Sequence, residues 1–223
     1  MSERLFFPDP LAATDLLTFA GRAARLGDGA VRLTAAAGTL ATTAAPLAPR
    51  GLFDTTPTVL GLRALAVDPE LECDLVVEAS ALRPAPDSAN VVVLPETALA
   101  PAWAGIQPPR SGWEHRGEIA AAQLAARAQW GIAAVAESVP TDAGEDAVRA
   151  VRAQVWGQAD DTLLGLPIGV AFAAFALGFI GGSEQAPVFA SGPWTRIALA
   201  RGHVIVRGPM VSGLTAVRPT GRA

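Results

Sequence analysis

The residues with the clearest potential for chemistry lie close together in the segment WEHRGE, which holds Glu114, His115 and Glu118. On a helix, these side chains would have the i, i+3 and i, i+4 spacing of carboxylate–histidine metal sites in helical bundles. Such a site needs Glu or His from a second helix as well, and the next predicted helix offers only Glu145 and Asp146. Acidic residues also favour the first turn of a helix because of its dipole. We therefore predict no metal here and keep His115 and Glu118 as a candidate polar site.

A second candidate surface lies near the C-terminus, in the hairpin predicted at PWTRIALARGHVIVRGPM. If its apolar residues face the core, Arg196, His203 and Arg207 face outward together. Arginines on a strand surface can contact phosphates, so weak nucleic-acid binding through this hairpin is one alternative function. We expect no aromatic side chains between these arginines, and the net charge is −4, so nucleic acid is not the expected partner. The other interpretations are a solvent-exposed face or a face that pairs with the acidic strand ECDLVVE.

The remaining chemical groups predict structural roles. Cys73 alternates with apolar residues on a predicted strand, and its neighbours Glu72 and Asp74 would oppose thiolate formation. We therefore interpret Cys73 as a core residue. Glu70, Glu72 and Asp74 share the other face of that strand and are typical of a solvated surface.

The composition excludes several classes of protein. All positive charge is arginine, so the lysine of a phosphate-binding loop, a pyridoxal Schiff base or a kinase is absent. A single cysteine allows no internal disulfide and no cysteine-rich zinc site. The chain has no G-x-S-x-G motif and no G-x-G-x-x-G after a strand. We predict no catalytic residue and no cofactor, and we favour a protein that is not an enzyme.

The elements that must position these residues fall into three stretches. Residues 1–95 predict a helix, capped by Asp9 and Pro10 and ended before Gly27, followed by antiparallel strands that begin with a hairpin around Gly38. Residues 96–112 are rich in proline and predict a linker or crossing loop.

Residues 113–223 predict a helical segment followed by a β-hairpin, and this stretch can pack with residues 1–95 as one domain. Ser111 and Glu114 form an S-x-x-E capping box that predicts a long helix, and Asp142 and Glu145 repeat the arrangement before another helix. After the hairpin, SGLTAVRP is compatible with one more strand.

The segment from Thr162 to Ser183 has no charged residue and raises the question of a membrane span. Pro167 and Gly181 limit the helix to about 14 residues, or about 21 Å, which is shorter than a hydrocarbon core of about 30 Å. We therefore predict a buried core helix. An apolar pocket near Phe172–Phe179, serving an enzyme or small-ligand binder, is the alternative. The N-terminus lacks signal-peptide features, so we expect a cytoplasmic protein without a membrane segment.

The two hairpins resemble each other. Residues 29–42 align with residues 193–206 without a gap, so that Arg32 falls on Arg196 and Gly38 on Gly202. An apolar helix precedes each hairpin. These features lead to the hypothesis of two related helix–hairpin halves, although two alanine-rich hairpins can align by composition alone.

Segments such as PTVLGLRAL and GVAFAAFALGFIGG, in a lysine-free chain rich in alanine and arginine, resemble conserved uncharacterised proteins of high-G+C actinobacteria. This resemblance implies no known activity. We predict an α+β fold with helices packed on a mostly antiparallel sheet. The favoured function is a non-catalytic interaction or regulatory protein, whose partner is an unknown protein or a second copy of itself.

Overall fold

A computed structural model describes residues 4–51 and 53–208. The helices are α1 (Pro10–Ala23), α2 (Ala121–Ser138), α3 (Glu145–Gly157) and α4 (Gly169–Ala176). The strands are β1 (Arg4–Phe6), β2 (Ala30–Ala36), β3 (Thr39–Leu47), β4 (Thr58–Ala66), β5 (Cys73–Glu78), β6 (Arg83–Ala85), β7 (Ser88–Val93), β8 (Glu114–Ala120), β9 (Ala159–Asp160), β10 (Leu166–Pro167), β11 (Gln185–Ser191), β12 (Trp194–Leu199) and β13 (Gly202–Arg207). The additional strand predicted at SGLTAVRP lies outside the described residues.

The predicted fold class is confirmed, because the main sheet of the described chain is antiparallel and has helices packed against it. The strand order of this sheet is β5-β2-β3-β4-β13-β12-β11-β8. Its centre is the antiparallel pair of β4 and β13, which joins strands from the two halves of the sequence. A small sheet of order β1-β7-β6 and the short pair β10-β9 lie beside it.

The first helix begins where the sequence predicts. The backbone N–H of Leu11 donates to the Asp9 carboxylate at 2.8 Å, and Pro10 occupies the first turn, where a missing N–H costs nothing. Leu16 and Phe19 on this helix are fully buried, and they form one core with strand residues that face the helices.

The helix predicted from Ser111 is wrong in its first part, because Glu114–Ala120 form strand β8 and α2 begins at Ala121. The S-x-x-E motif is a local signal, and here the backbone gains more by hydrogen-bonding to β11 along the sheet edge. Gly117 adopts a positive φ of 143°, which also disfavours a helix at this point. The helix after Asp142 begins only at Glu145, and its N-cap is Gly144 without a side-chain capping bond.

The uncharged segment forms a buried helix, as predicted, but α4 covers only eight residues, Gly169–Ala176. Pro167 pairs with Ala159 in the strand pair β10-β9 and does not enter the helix. Gly178, in the left-handed conformation with φ 73°, follows its end. Among the described residues, no helix is both long and apolar enough to cross a membrane.

The two halves are similar, as predicted. Each contributes four antiparallel strands on one side of the β4–β13 junction, and the helices cover one face of the sheet. Counted outward from that junction, however, β12 corresponds to β3 and β11 to β2, so the predicted gapless alignment of Arg32 with Arg196 is wrong. Gly38 lies in the turn of its hairpin, whereas Gly202 is the first residue of β13 and pairs with Leu199.

The face of the sheet opposite the helices carries a second, smaller apolar cluster. It joins Leu60, Ile205 and Trp194 on the strands to Trp103 and Trp113. Both of the last two belong to residues 96–113, which cross this face and which we call the crossing segment. The backbone N–H of Leu99, at its start, donates to the Val76 carbonyl at 2.7 Å. The proline-rich stretch therefore covers part of the sheet.

Candidate functional site

The candidate site lies on the sheet face away from the helices, at its β8–β13 end. Successive strand residues point to opposite faces, so the buried core residues Ile197, Val204 and Val206 leave their neighbours on the outer face. Register places Phe189 beside both Arg196 and His115. We call this surface the arginine face and define it by Trp113, His115, Phe189, Trp194, Arg196, His203 and Arg207.

Aromatic rings support the two arginines of this face. The Arg196 guanidinium carbon lies 4.7 Å from the Trp113 ring centroid and 5.0 Å from that of Phe189. The Arg207 guanidinium carbon lies 5.8 Å from the Trp194 centroid, and the His115 ring meets Phe189 edge-on at 5.7 Å. Cations over aromatic faces are attracted by the ring quadrupole, so these contacts orient both guanidinium groups.

The charges of Arg196 and Arg207 are not neutralised within the described chain. Carboxylates lie within 4.0 Å of other arginines, namely Arg4, Arg32, Arg50, Arg63, Arg116, Arg127 and Arg149. Some described arginines have no carboxylate within 4.0 Å. Of these, Arg196 and Arg207 are half-buried and the others are exposed. Burial strengthens electrostatic interactions, so an unpaired cation has more to gain from an anion here than on an open surface.

Polar nitrogens of this face also lack partners. The Nε atoms of Arg196 and Arg207 and the Nδ1 atom of His203 are buried and make no hydrogen bond. Burial lowers the pKa of His203 below its usual value, and the positive charge of Arg196 lowers it further. His203 is therefore neutral at pH 7, while the two guanidinium groups keep their charge.

The structure unites the two sets of residues that the sequence suggested separately. Arg196, His203 and Arg207 do face outward together, and His115 on β8 joins them through Phe189. Glu118 lies further along β8, opposite Pro187. The geometry assumed for His115 and Glu118 was wrong, because they lie on an exposed edge strand and not on one helical turn.

The expectation of a face without aromatics was also wrong. Trp113, Phe189 and Trp194 lie between the charged residues, and they come from three separate segments. Trp194 stands in the predicted hairpin itself, and the alternation in APVFAS would have identified β11 as a strand with Phe189 on one face. No local pattern brings Trp113 to Arg196, since this contact depends on the path of the crossing segment.

Arg32, the arginine of the first hairpin, has quite different surroundings. The Arg32 guanidinium donates to both oxygens of Asp74 at 2.7 Å, and also to the Ala104 carbonyl at 2.6 Å. The hydrogen bonds from Arg32 lower the pKa of Asp74 below its usual value. Arg32 is thus neutralised by a neighbouring strand and anchored to the crossing segment.

The apolar pocket considered near Phe172–Phe179 corresponds only in part to a cavity. An open cleft of about 800 Å³ includes Phe172 and Trp156, whose rings stack at 4.2 Å, and it is rimmed by Arg25 and Arg152. Phe179 lies in the core instead, stacked on Phe19 at 6.1 Å.

The carboxylates of Asp28, Asp54, Glu145 and Asp146 line this cleft but are not arranged as a metal site. Asp160 binds Arg127 and the hydroxyl group of Thr162. The hydrogen bond from Thr162 is the largest cause of the lowered pKa of Asp160. In the described part of the chain, no group of three or more His, Cys, Asp or Glu side chains is arranged to hold a metal ion.

Two family models cover the chain. Residues 1–105 match a domain of unknown function (DUF8010), and residues 108–211 match another domain of unknown function (DUF8185). No relative was found among curated proteins. The chain thus combines two regions that are each similar to a family defined without a stated activity.

Among solved structures, the chain is similar to bacterial sliding clamps. The DNA polymerase sliding clamp of Caulobacter crescentus is 12% identical, with a TM-score of 0.47, over 99% of this chain and 69% of the clamp. The DNA polymerase III beta subunit of Bartonella birtlesii, bound to griselimycin, is 12% identical with a TM-score of 0.48, over 92% of this chain and 64% of the clamp. This chain therefore spans about two thirds of their length. At these scores the likeness identifies neither its function nor its partner.

Proposed function

We propose that this chain is a non-catalytic protein-interaction module and that the arginine face is its binding surface. The observation that carries this proposal is the pair Arg196 and Arg207, which are half-buried, stacked on aromatic rings and without a carboxylate in the described chain. Protein interfaces are enriched in Trp and Arg, and their strongest contacts cluster in partly desolvated positions of this kind. A partner that supplies acceptors would bind the accessible terminal nitrogens of these guanidinium groups.

The chemistry of the face supports binding more than catalysis. His203 is the half-buried side chain of this face that could act as a base. Its Nδ1 atom makes no hydrogen bond that would orient the ring. A catalytic histidine is normally held by a second group that fixes its tautomer and its direction. A guanidinium group, as in Arg196 and Arg207, can orient a bound anion but cannot act as a general base.

A protein partner fits this surface better than a nucleic acid. Single-stranded nucleic acids stack their bases on open aromatic faces, whereas guanidinium groups already lie over Trp113 and Phe189. The partner can be another protein or a second copy of this chain, and a native mass measurement separates these two cases.

We also propose that both halves act as one domain. The β4–β13 pair runs through the centre of the main sheet, and the crossing segment packs on strands of both halves. The binding surface depends on this arrangement, because Trp113 from the crossing segment forms one side of the arginine face.

Site-specific photo-crosslinking in the producing cells tests the proposed surface. A crosslinking amino acid at Ala198, which pairs with His203 on this face, should capture a defined partner. The same amino acid at exposed Ala133 on α2 serves as the control site. Capture from Ala198 should disappear when Arg196 and Arg207 are both changed to Ala and persist when exposed Arg25 and Arg152 are changed. Equal capture in both double variants would contradict the proposal.

A further inference from the structure

We propose that the arginine face binds an extended acidic segment of a partner protein, with carboxylates placed against Arg196 and Arg207. This inference rests on the proposed interaction function and specifies the chemistry of the partner. It follows from three features of the molecule: unpaired charge on this face, the spacing of the two arginines, and the way in which the chain neutralises Arg32 on the same face in its first half.

The first feature is a deficit of negative charge. Arg196 and Arg207 are half-buried cations, burial favours the neutral form of His203 on the strand of Arg207, and no carboxylate of the described chain lies within 4.0 Å of either guanidinium group. Both Nε atoms are buried without an acceptor, so the terminal guanidinium nitrogens are the donors that a partner can reach. Carboxylates accept from such donors in short, charge-assisted bonds, and a planar guanidinium can bind one through two parallel bonds.

The second feature is spacing. Arg196 pairs in register with Ile205, so Arg207, two residues further on, is its diagonal neighbour on the same face. Diagonal residues on adjacent strands lie about 7–8 Å apart. In an extended chain, alternate side chains are separated by about 7 Å. An extended segment with acidic residues at alternate positions therefore matches both arginines at once, and its intervening residue points away from the face.

The third feature is the precedent within the chain. The crossing segment lies on the same sheet face, and its Ala104 carbonyl accepts from Arg32 at 2.6 Å while Asp74 accepts at 2.7 Å. The proline-rich crossing segment, which forms a short 3₁₀ helix at Ala102–Gly105, therefore already packs on this face beside an arginine–carboxylate pair. Arg196, on β12 of the second half, has Trp113 and Phe189 beside it instead of a carboxylate. A partner segment would supply what Asp74 supplies in the first half.

Fluorescence anisotropy with synthetic peptides tests this inference on the full-length protein. The probe is a labelled peptide of about 12 residues, long enough to span roughly 40 Å when extended, with alternating Glu and Thr residues, because Thr favours the strand-like conformation. The control peptide has Gln in place of each Glu. We expect the Glu peptide to bind at least about tenfold more tightly at low salt, because hydrogen bonds between charged groups are stronger than those to a neutral amide. Added salt should weaken this difference.

Variants then locate the binding. Arg196→Ala and Arg207→Ala should each weaken binding of the Glu peptide about tenfold, whereas the control variant Arg25→Ala/Arg152→Ala has the same affinity as the wild type. His203→Asp provides an independent variant that retains both arginines. His203 is close enough to Arg196 for its titration to be affected, so an Asp there should neutralise this arginine in cis, as Asp74 neutralises Arg32. It should weaken binding about tenfold without lowering the melting temperature.

Equal affinity for the Glu and Gln peptides would overturn the inference, and so would unchanged binding in His203→Asp. Tighter binding of a single-stranded oligonucleotide than of the Glu peptide, lost in the same variants, would assign the face to nucleic acid instead. If the peptides fail but photo-crosslinking from Ala198 still depends on Arg196 and Arg207, the interaction function stands and only the acidic chemistry is wrong.

Discussion

Arg32 on β2 and Arg196 on β12 lie on the same face of one sheet, yet their surroundings differ in almost every respect. The Arg32 guanidinium has acceptors on both sides: it donates to Asp74 on the neighbouring strand and to the Ala104 carbonyl of the crossing segment. Arg196 is placed between two aromatic rings and has no carboxylate within 4.0 Å in the described chain. The same residue type on the same face is thus used once for internal structure and once as an open cation.

This difference teaches how one sheet face can serve both stability and recognition. A buried guanidinium with two acceptors fixes the segment that covers it, because removing any partner leaves a donor unsatisfied. A guanidinium on aromatic rings is oriented but retains its donors for another molecule. The first half can therefore be called the closed side and the second half the open side, defined by Arg32 and Arg196 respectively.

The largest effect is expected on the closed side. Arg32→Ala removes the ion pair with Asp74 and the bond that anchors Ala104, so unfolding should require about 2 kcal/mol less free energy in chemical denaturation. Arg116→Ala, which breaks an exposed pair with Glu114, is the matched control and should cost at most about 0.5 kcal/mol. Equal losses in the two variants would mean that the crossing segment does not depend on Arg32.

A smaller loss is expected on the open side. Arg196→Ala removes contacts with two aromatic rings but no ion pair, so the free energy of unfolding should fall by about 1 kcal/mol. Tryptophan fluorescence should change as well, because Trp113 loses the cation above its ring. A loss larger than that of Arg32→Ala would break the comparison, since it would make Arg196 the more important structural residue.

Arg207→Ala should have a still smaller effect on stability. Its guanidinium carbon lies 5.8 Å from the Trp194 centroid and contacts this one ring. We expect about 0.5 kcal/mol in the same denaturation experiment. A loss well above that of Arg196→Ala would indicate an additional structural contact of Arg207 and weaken its assignment to binding.

The smallest expected effect is on the pH dependence of the free energy of unfolding, which should differ between the open side and the closed side. The pKa of His203 is lowered from 6.5, chiefly by burial, so the unfolded imidazole takes up its proton first as pH falls. The stability that neutral His203 contributes is present above about pH 6.5 and declines below it. His203→Gln should flatten the stability profile in this window, and an unchanged profile would contradict the assignment.

On the closed side, the pKa of Asp74 is lowered from 3.8 by the hydrogen bonds from Arg32. The stability that ionised Asp74 contributes is present above about pH 3.8 and is lost as the pH falls further. Asp74→Asn should therefore leave the profile near pH 6 unchanged and flatten it below pH 4. A changed slope near pH 6 would show that the two sides are coupled.

Much of the fold follows from local patterns in the sequence. Asp9 and Pro10 mark the start of α1, Gly38 marks the first hairpin, and alternation places Arg196, His203 and Arg207 on one face. These features depend on neighbours within a few residues, so periodicity and turn chemistry are sufficient to predict them.

The candidate site is harder to predict because its contacts are distant in sequence. The S-x-x-E motif at Ser111 indicates a helix, but pairing with β11, about 70 residues later, makes β8 a strand. Trp113 reaches Arg196 only because the crossing segment follows a particular path over the sheet. Sequence patterns identified the charged residues of the site but not the rings that hold them.

The position of the crossing segment also affects how the two family regions can be studied. The boundary between the matched regions falls between residues 105 and 108, within this segment and between Trp103 and Trp113. Producing the regions as separate polypeptides would cut the cover of the outer apolar cluster in two and would split β4 from β13. Each fragment would then expose an unpaired sheet edge and indole side chains, a combination that favours aggregation. We expect soluble material when the regions are co-expressed or kept on one chain.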